Sequence, residues 1–277
     1  MSRFSPALLW LAPFAVVFAA FQLAPLAWVG VSAFRVGDGW GLDHFREIAS
    51  SPFFRQAIWR SLEISLVSSL LGLVIATLAC HSLTRTDGRL RRLMVAFTNM
   101  TSNFAGVPLA FAFIILLGAN GVLTLALQHL GVIEDFNLYS KAGLIVIYTW
   151  FQIPLGILLL FPAFGGLHPD WREAASLLGA GRLGYWRHVG LPVLWPALAG
   201  TLTILLANAM GAYATVYALV NTSYNLMTIR IANLVSGDLF LQPNLASALA
   251  LVLVALLAVV TLIQQWLLRR SYHVAER

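Results

Sequence analysis

The chain has 277 residues, of which 60% are hydrophobic and only 10% are charged. Because soluble domains average about 25% charged residues, this composition excludes a water-soluble globular protein and indicates an integral membrane protein. The formal net charge of +6 requires no nucleic-acid partner, since the uneven distribution of arginine along the chain accounts for it.

Long uncharged stretches predict helices that cross a bilayer, because about 20 apolar residues are enough to span its hydrocarbon core. Two stretches are too long for one helix, and segments 117–121 and 221–225 are expected to divide them at the membrane surface. The first apolar run is too long for a signal peptide and has no clear cleavage site, so it is expected to remain as a helix. The predicted fold is all-α with six transmembrane helices, at about 7–34, 57–83, 93–118, 142–164, 193–220 and 244–268.

Basic residues cluster on one side of this predicted topology. Six spans place both termini on the same side, together with the segments between spans 2 and 3 and between spans 4 and 5. Because cytoplasmic loops are enriched in arginine and lysine, this side, including both termini, is expected to be cytoplasmic. Eleven of the 17 basic residues fall on it: Arg3, Arg85, Arg89, Arg91, Arg92, Arg172, Arg182, Arg187, Arg269, Arg270 and Arg277.

The loop between spans 4 and 5 is predicted to fold as two short helices. Asp170 is expected to cap a helix over about 171–178, with Glu173 reaching back to it as in a capping box. The segment 179–181 contains two glycines and is expected to turn with a positive φ. A second short helix is expected to end at Pro192, where the next span begins. Such a hairpin could simply lie on the membrane surface, or it could contact another protein.

Seven residues of this loop follow a fixed spacing: Glu173, Ala174, Ala175, Gly179, Val189, Leu191 and Pro192. The spacing resembles the EAA loop of the inner-membrane permeases of ABC importers. That family's pattern is Glu-Ala-Ala, three residues, Gly, nine residues, Ile, one residue and Leu-Pro, and only the isoleucine is replaced, by valine. The resemblance covers most of the chain, and it is closest to the permease group that serves polyamine and 2-aminoethylphosphonate importers.

The resemblance implies a role for each residue of the motif. Glu173 would make a polar contact with an ATPase subunit, and Ala174 and Ala175 would lie in a cleft of that subunit. Gly179 would allow the turn between the two loop helices. The last two residues would set the angle at which the next span begins rather than touch a partner: Leu191 and Pro192.

The resemblance also implies an organisation and a set of partners. Residues 1–56 would hold the first transmembrane helix and a periplasmic loop, 57–268 the permease core with five transmembrane helices and the coupling loop 165–192, and 269–277 a cytoplasmic tail. The chain would lie in a bacterial inner membrane with a second, identical or different, permease subunit. Two ABC ATPase subunits and a periplasmic or extracytoplasmic substrate-binding protein would complete the importer.

Polar residues inside predicted spans indicate where a solute could pass, because polar groups in a membrane tend to face a bundle interior or a water-filled path. The third predicted span is interrupted by Gly106 and Pro108, a pair expected to break the helix. Hydrogen bonds between packed spans are the alternative role for each polar residue. The candidate path residues in the third and fifth spans are Asn99, Ser102, Asn103, Asn208, Tyr213 and Tyr217.

Several other classes of protein are disfavoured. The chain has no phosphate-binding Gly-X-X-X-X-Gly-Lys-Ser/Thr motif, no HEXXH or GXSXG motif and no cluster of His and Cys. No catalytic residue, metal or cofactor is therefore predicted, and ATP is expected to be hydrolysed by a partner. No acidic residue lies deep in a span, and Glu63 is expected to pair locally with Arg60. Because ion-driven transporters usually need buried ionisable groups, a stand-alone secondary transporter or channel is the less favoured alternative.

Overall fold

The computed structural model describes residues 6–86, 88–134, 136–236 and 241–275, which form helices and one short hairpin. The hairpin pairs β1 (Arg35–Val36) antiparallel with β2 (Gly39–Trp40). Two π-turns, Ala19–Leu23 and Trp186–Gly190, join consecutive helices. The α-helices are α1 (Pro6–Phe18), α2 (Ala24–Ala33), α3 (Asp43–Ser50), α4 (Pro52–Leu83), α5 (Arg89–Ser102), α6 (Val107–Leu117), α7 (Val122–His129), α8 (Lys141–Gly165), α9 (Pro169–Leu177), α10 (Arg182–Tyr185), α11 (Leu191–Gly211), α12 (Ala214–Val220), α13 (Met227–Ser236) and α14 (Pro243–Ala275).

Six helical segments among the described residues are long and apolar enough to cross a membrane, which confirms the predicted all-α fold with six spans. Four of them agree with the predicted positions to within a few residues. The third and fifth spans differ from the predicted positions by about ten residues or more. Arg3 and Arg277, which the topology prediction uses, lie outside the described residues. The six segments are Leu11–Ala33, Pro52–Leu83, Val107–His129, Lys141–Gly165, Arg182–Gly211 and Pro243–Trp266.

The third span begins and ends later than predicted. The expected break is confirmed: α5 ends at Ser102, Gly106 has φ +77°, and α6 begins at Val107 with a proline in its first turn. The segment 117–121, predicted as a surface loop, lies inside the third span and only interrupts it between α6 and α7. The glycine-proline break therefore cuts the apolar stretch earlier than the loop signal suggests and leaves α5 as a separate helix.

The fifth span begins within the predicted loop. The second loop helix does not end at Pro192, because α10, the π-turn and α11 form one continuous helical segment over Arg182–Gly211. Proline lacks an N–H group and disrupts a helix interior, but it is tolerated in a first turn or beside a wider π-turn. The span then stops at Gly211, and the rest of the predicted fifth span forms the separate helix α12.

The described residues divide into two compact units. One holds the described parts of Met1–Ile58 and Asn225–Leu256. Asn225 is buried and orders this unit: its Nδ2 donates to the Phe53 carbonyl (2.9 Å) and to Gln56 Oε1 (3.1 Å). Its Oδ1 accepts from Arg230 Nε at 2.7 Å. The apolar core of the unit consists of Ala33, Ile48, Phe54, Ala57, Met227, Leu245, Ala248 and Leu249.

The second unit holds the described parts of Trp59–Tyr224 and Leu257–Arg277. In it, α4, α8 and α11 pack closely because small residues lie where the helices meet. A Cβ added at Gly72 would lie 2.7 Å from the Gln152 Cβ, and one added at Gly156 would lie 2.9 Å from the Ala76 Cβ. Cys80 is fully buried here and fills the role of a small packing residue. The core residues are Ala76, Cys80, Ile157, Leu160, Phe164, Leu194 and Leu198.

Candidate functional site

The first loop helix, α9, begins differently from the prediction. Its N-cap is His168, in an extended conformation, and Pro169 occupies the first turn. Asp170 is therefore inside the helix and does not cap it, and the predicted capping box with Glu173 does not form. Proline at the first helical position leaves one fewer free N–H for a side chain to cap. Asp170 still favours the helix through its negative charge in the first turn.

The turn after α9 has the geometry that its glycine predicts. Gly179 has φ +79°, its N–H donates to the Ser176 carbonyl (3.0 Å), and the Ala180 N–H donates to the Ala175 carbonyl (2.9 Å). These two bonds form a Schellman motif, which satisfies the last carbonyls of a helix through a residue with positive φ. Gly181 has φ −68° and serves as the N-cap of α10, so the two glycines have different roles.

The loop has an apolar surface that no described residue covers. None of the nine residues of α9 is buried. Leu177, Leu178 and Leu183 are 89%, 87% and 83% exposed, and Ala174 beside them is exposed as well. Exposed apolar patches on a protein surface mark contacts with other proteins or with a membrane.

Of the other motif residues, Glu173 lies on α9, while Leu191 and Pro192 lie within the fifth span. Glu173 is exposed, and its backbone carbonyl accepts a hydrogen bond from Ser176 Oγ at 2.7 Å. Leu191 and Pro192 form the first turn of α11, directly after the π-turn. Their backbone position is consistent with a role in setting the helix path, and both side chains are exposed.

The structure separates the candidate path residues into two groups. On α5, Asn99 Nδ2 donates to the Val95 carbonyl, while Ser102 Oγ and Asn103 Nδ2 donate to the Asn99 carbonyl. These three side chains bond to their own helix, as serine and asparagine often do. They do not line the cavity described next, whose lining residues come from other segments of the second unit.

The second group borders a cavity of about 560 Å³ at the end of α11. Asn208 and Tyr213 line it, and Tyr213 stacks on Tyr217 with ring centroids 5.2 Å apart. The Gly106 N–H donates to Thr215 Oγ1 at 2.9 Å, which joins the break before α6 to α12. The lining residues are Ala105, Gly106, Phe151, Ala207, Asn208, Gly211, Ala212, Tyr213, Ala214 and Thr215.

Gln152, which is not among the residues predicted from the sequence, bonds the cavity-lining Asn208 from behind. Its side chain is fully buried on α8. Nε2 donates to the Leu205 carbonyl (2.6 Å) and to Ser69 Oγ (3.0 Å), and Oε1 accepts from Asn208 Nδ2 at 3.2 Å. The sequence signal for this residue is a single amide in the middle of an apolar span, because a polar group there needs hydrogen-bonding partners.

Glu63 does not form its expected pair. The structure pairs it with Lys141 at the start of α8 rather than with Arg60. The Arg60 guanidinium instead lies 5.2 Å from the centre of the Tyr224 ring. Proximity along one helix is outweighed by a partner at the start of the fourth span, and the Glu63–Lys141 pair ties α4 to α8.

Comparison with known proteins connects this arrangement to transport systems. The family described as "Binding-protein-dependent transport system inner membrane component" matches residues 53–271. A probable ABC transporter permease protein, y4fN, of Sinorhizobium fredii is 26% identical over 96% of this chain and 47% of its own length, so the chain spans about half of that relative.

Two further relatives are named for different solutes. The sulfate transport system permease protein CysW of Escherichia coli is 26% identical over 73% of this chain and 67% of its own length. The putative 2-aminoethylphosphonate transport system permease protein PhnU of Salmonella paratyphi A is 31% identical over 73% of this chain and 72% of its own length.

Solved structures share the fold. A chain of a bacterial ABC transporter that imports the acidic polysaccharide alginate superposes with a TM-score of 0.76 at 20% identity, covering 95% of both chains. A chain of the inward-facing MetNI methionine ABC transporter gives a TM-score of 0.61 at 20% identity, covering 80% of this chain and 99% of that one.

Proposed function

The chain belongs to the family of inner-membrane components of binding-protein-dependent transport systems, the permease subunits of ABC importers, and we propose that it forms the path of a small polar solute. In this proposal α9 docks on a partner ATPase, and ATP hydrolysis there drives the spans between inward-open and outward-open states. A polyamine or an aminophosphonate is the proposed solute, on the resemblance of the sequence to that permease group. A second permease subunit, two ATPase subunits and an extracytoplasmic binding protein would complete the importer.

The observation that carries the proposal is the exposed surface of α9. An isolated helix of nine residues has too little burial to be stable by itself, yet no residue of α9 is buried. Ala174 and Leu177 of α9 are exposed, as is Leu178 directly after it, beside the Schellman turn. Such a surface, held at the end of the membrane spans, suits a docking contact with another subunit. Glu173 at its side would supply a polar contact.

The continuity of the fifth span supplies a route for the motion. Arg182–Gly211 is one helical segment that begins beside the Gly179 turn and ends at the cavity lined by Asn208. At 1.5 Å per residue, the distance from Arg182 to Asn208 along it is roughly 40 Å. A displacement of α9 by a partner would move the start of this helix and thereby its far end. The π-turn at Trp186–Gly190 is a place where such a helix can bend.

The orientation that fits this proposal places α9 and both termini in the cytoplasm. The arginines at the ends of spans 2 and 4 support it through the bias of cytoplasmic loops for positive charge. They include Arg85 after α4 and Arg172 on α9.

Charge placed on the docking surface tests the proposal. We expect Ala175→Glu and Leu177→Glu to reduce co-purification of the partner ATPase with the permease strongly, because an unpaired charge in a protein interface is costly to desolvate. Both variants should still insert into the membrane, because α9 lies between the fourth and fifth spans and is part of neither.

A matched control separates docking from a general effect of charge. Leu130→Glu introduces the same charge at a leucine that is 75% exposed after α7, outside the loop. It should co-purify with the ATPase at the wild-type level. Wild-type co-purification of both loop variants would show that α9 is only a surface helix and would remove the main support for the proposal.

A further inference from the structure

The buried amide of Gln152 fixes the orientation of a side chain in the cavity. A backbone carbonyl can only accept, so the Gln152 atom 2.6 Å from the Leu205 oxygen is Nε2. The same nitrogen uses its second hydrogen on Ser69 Oγ, 3.0 Å away. Oε1 is therefore the atom that faces Asn208, and it accepts from Nδ2 at 3.2 Å.

This arrangement turns Asn208 Oδ1 away from Gln152. The reversed amide would place two carbonyl oxygens against each other, which leaves both without a donor. The Asn208 side chain is exposed and lines the cavity. No described residue donates a hydrogen bond to Oδ1, so both of its lone pairs are available to a solute in the cavity.

The rest of the cavity contains no positive charge that could hold an anion. Among its lining residues, the polar side chains are Asn208, Tyr213 and Thr215, and none is charged. Thr215 Oγ1 already accepts from the Gly106 N–H. One face of the Tyr213 ring stacks on Tyr217, and aromatic ring faces attract cations rather than anions. A sulfate-like anion would find no cationic side chain there.

We infer that the cavity selects a solute group carrying N–H or O–H donors, an ammonium or a hydroxyl, through Asn208 Oδ1. Gln152 acts as a positioning residue: it takes one N–H of the Asn208 amide, so that the oxygen, with two lone pairs against one remaining N–H, is the main hydrogen-bonding atom left for the solute. This inference rests on the proposed function, since it takes the cavity to be part of the solute's path.

A thiol placed in the cavity tests the inference without a known solute. Ala214 is exposed and lines the cavity, so Ala214→Cys is made in a Cys80→Ser chain and purified in detergent. Three methanethiosulfonates are compared: aminoethyl, a cation with N–H donors; trimethylammonioethyl, a cation without them; and sulfonatoethyl, an anion. Each rate is divided by the rate of the same reagent with 2-mercaptoethanol. The aminoethyl reagent should have the highest ratio.

Variants assign the preference to the two amides. Asn208→Leu should lower the aminoethyl preference about fivefold, the factor that corresponds to one net hydrogen bond of about 1 kcal/mol. Gln152→Leu should lower it similarly while Asn208 is intact. Ser69→Ala is the matched control, because it removes one Gln152 contact but keeps the bond to Asn208, and it should leave the preference unchanged.

Two results would overturn the inference. A ratio for the trimethylammonioethyl or the sulfonatoethyl reagent that equals or exceeds the aminoethyl ratio would show that the cavity has no preference for donors. Asn208→Leu changes a residue on the cavity surface and leaves the buried Gln152 in place. If the preference for the aminoethyl reagent survives this substitution, Asn208 is not the source of the preference. The test needs no ATPase, so its failure is distinguishable from a failure of the docking experiment.

Discussion

Single residues set how closely the spans of the second unit approach each other. Gly72 on α4 lies against Gln152 on α8, where an added Cβ would be 2.7 Å from the Gln152 Cβ. Real Cβ atoms essentially never come this close, so any side chain at this position must push the two helices apart. The contact also holds Gln152 in place to bond Ser69 and Asn208.

Gly72→Leu should therefore destabilise the permease, since overpacking a well-packed interface costs about 1–3 kcal/mol. Gly165→Leu is the control, because a Cβ at that helical glycine of α8 meets no atom within 4 Å. Thermal unfolding of the two purified proteins in the same detergent should give a lower Tm for Gly72→Leu only. Equal Tm values would mean that α4 and α8 do not pack as described.

At this scale the sequence predicts some contacts and misses others. Asn208 and Tyr213 were identified because polar residues in a span need an interior position, and both line the cavity. On α5 the Asn99 and Asn103 amides donate to carbonyls of their own helix, and their place on the path stays a prediction. Gln152 needs three partners from two other helices, and no spacing along the chain shows which residues those are.

At the level of elements, the loop between spans 4 and 5 shows which features are local. The turn at Gly179 was predictable because a glycine with positive φ is a common helix terminator, and the structure has it. The start of α9 was wrong by two residues because Pro169 begins the helix before Asp170 can cap it. The continuation of α10 into α11 was not predictable from Pro192, since the π-turn beside it is not visible in the residue pattern.

The two glycines of this turn make a matched pair of variants. Gly179→Val forces a β-branched side chain to φ +79°, at a cost of about 1–2 kcal/mol or more. Gly181→Val adopts an ordinary φ of −68° and a Cβ there meets no atom within 4 Å. Limited trypsin digestion should cleave after Arg182 faster in Gly179→Val, because the turn opens more often. Equal cleavage of the two variants would contradict the role of Gly179.

At the scale of the whole molecule, the positions of the long uncharged stretches are enough to predict six spans, and the described residues contain six. Their boundaries required tertiary information. The apolar content of 93–118 does not show that α5 is a helix separate from the third span. The arginines at the start of α5 and the break at Gly106 both indicate this separation. The sidedness of the spans remains a prediction from the distribution of arginine.

Two cysteine variants test this sidedness. In a Cys80→Ser chain, Thr86→Cys follows α4 and Gln242→Cys precedes α14. Three spans lie between these two positions, and an odd number of crossings places them on opposite sides of the membrane. A membrane-impermeant maleimide added to intact cells should label Gln242→Cys alone. Labelling of both positions from outside would contradict the six-span arrangement.

If the α9 loop couples an ATPase to the spans, ATP turnover of the assembled importer in liposomes depends on the Gly179 turn. The wild-type complex and Gly181→Val should hydrolyse ATP several-fold faster when solute-loaded binding protein is added. Gly179→Val, whose turn would misdirect α9, should lose this stimulation while its basal turnover in the presence of the ATPase subunits persists. Equal stimulation of all three complexes, or solute uptake by the permease without any ATPase, would contradict the account.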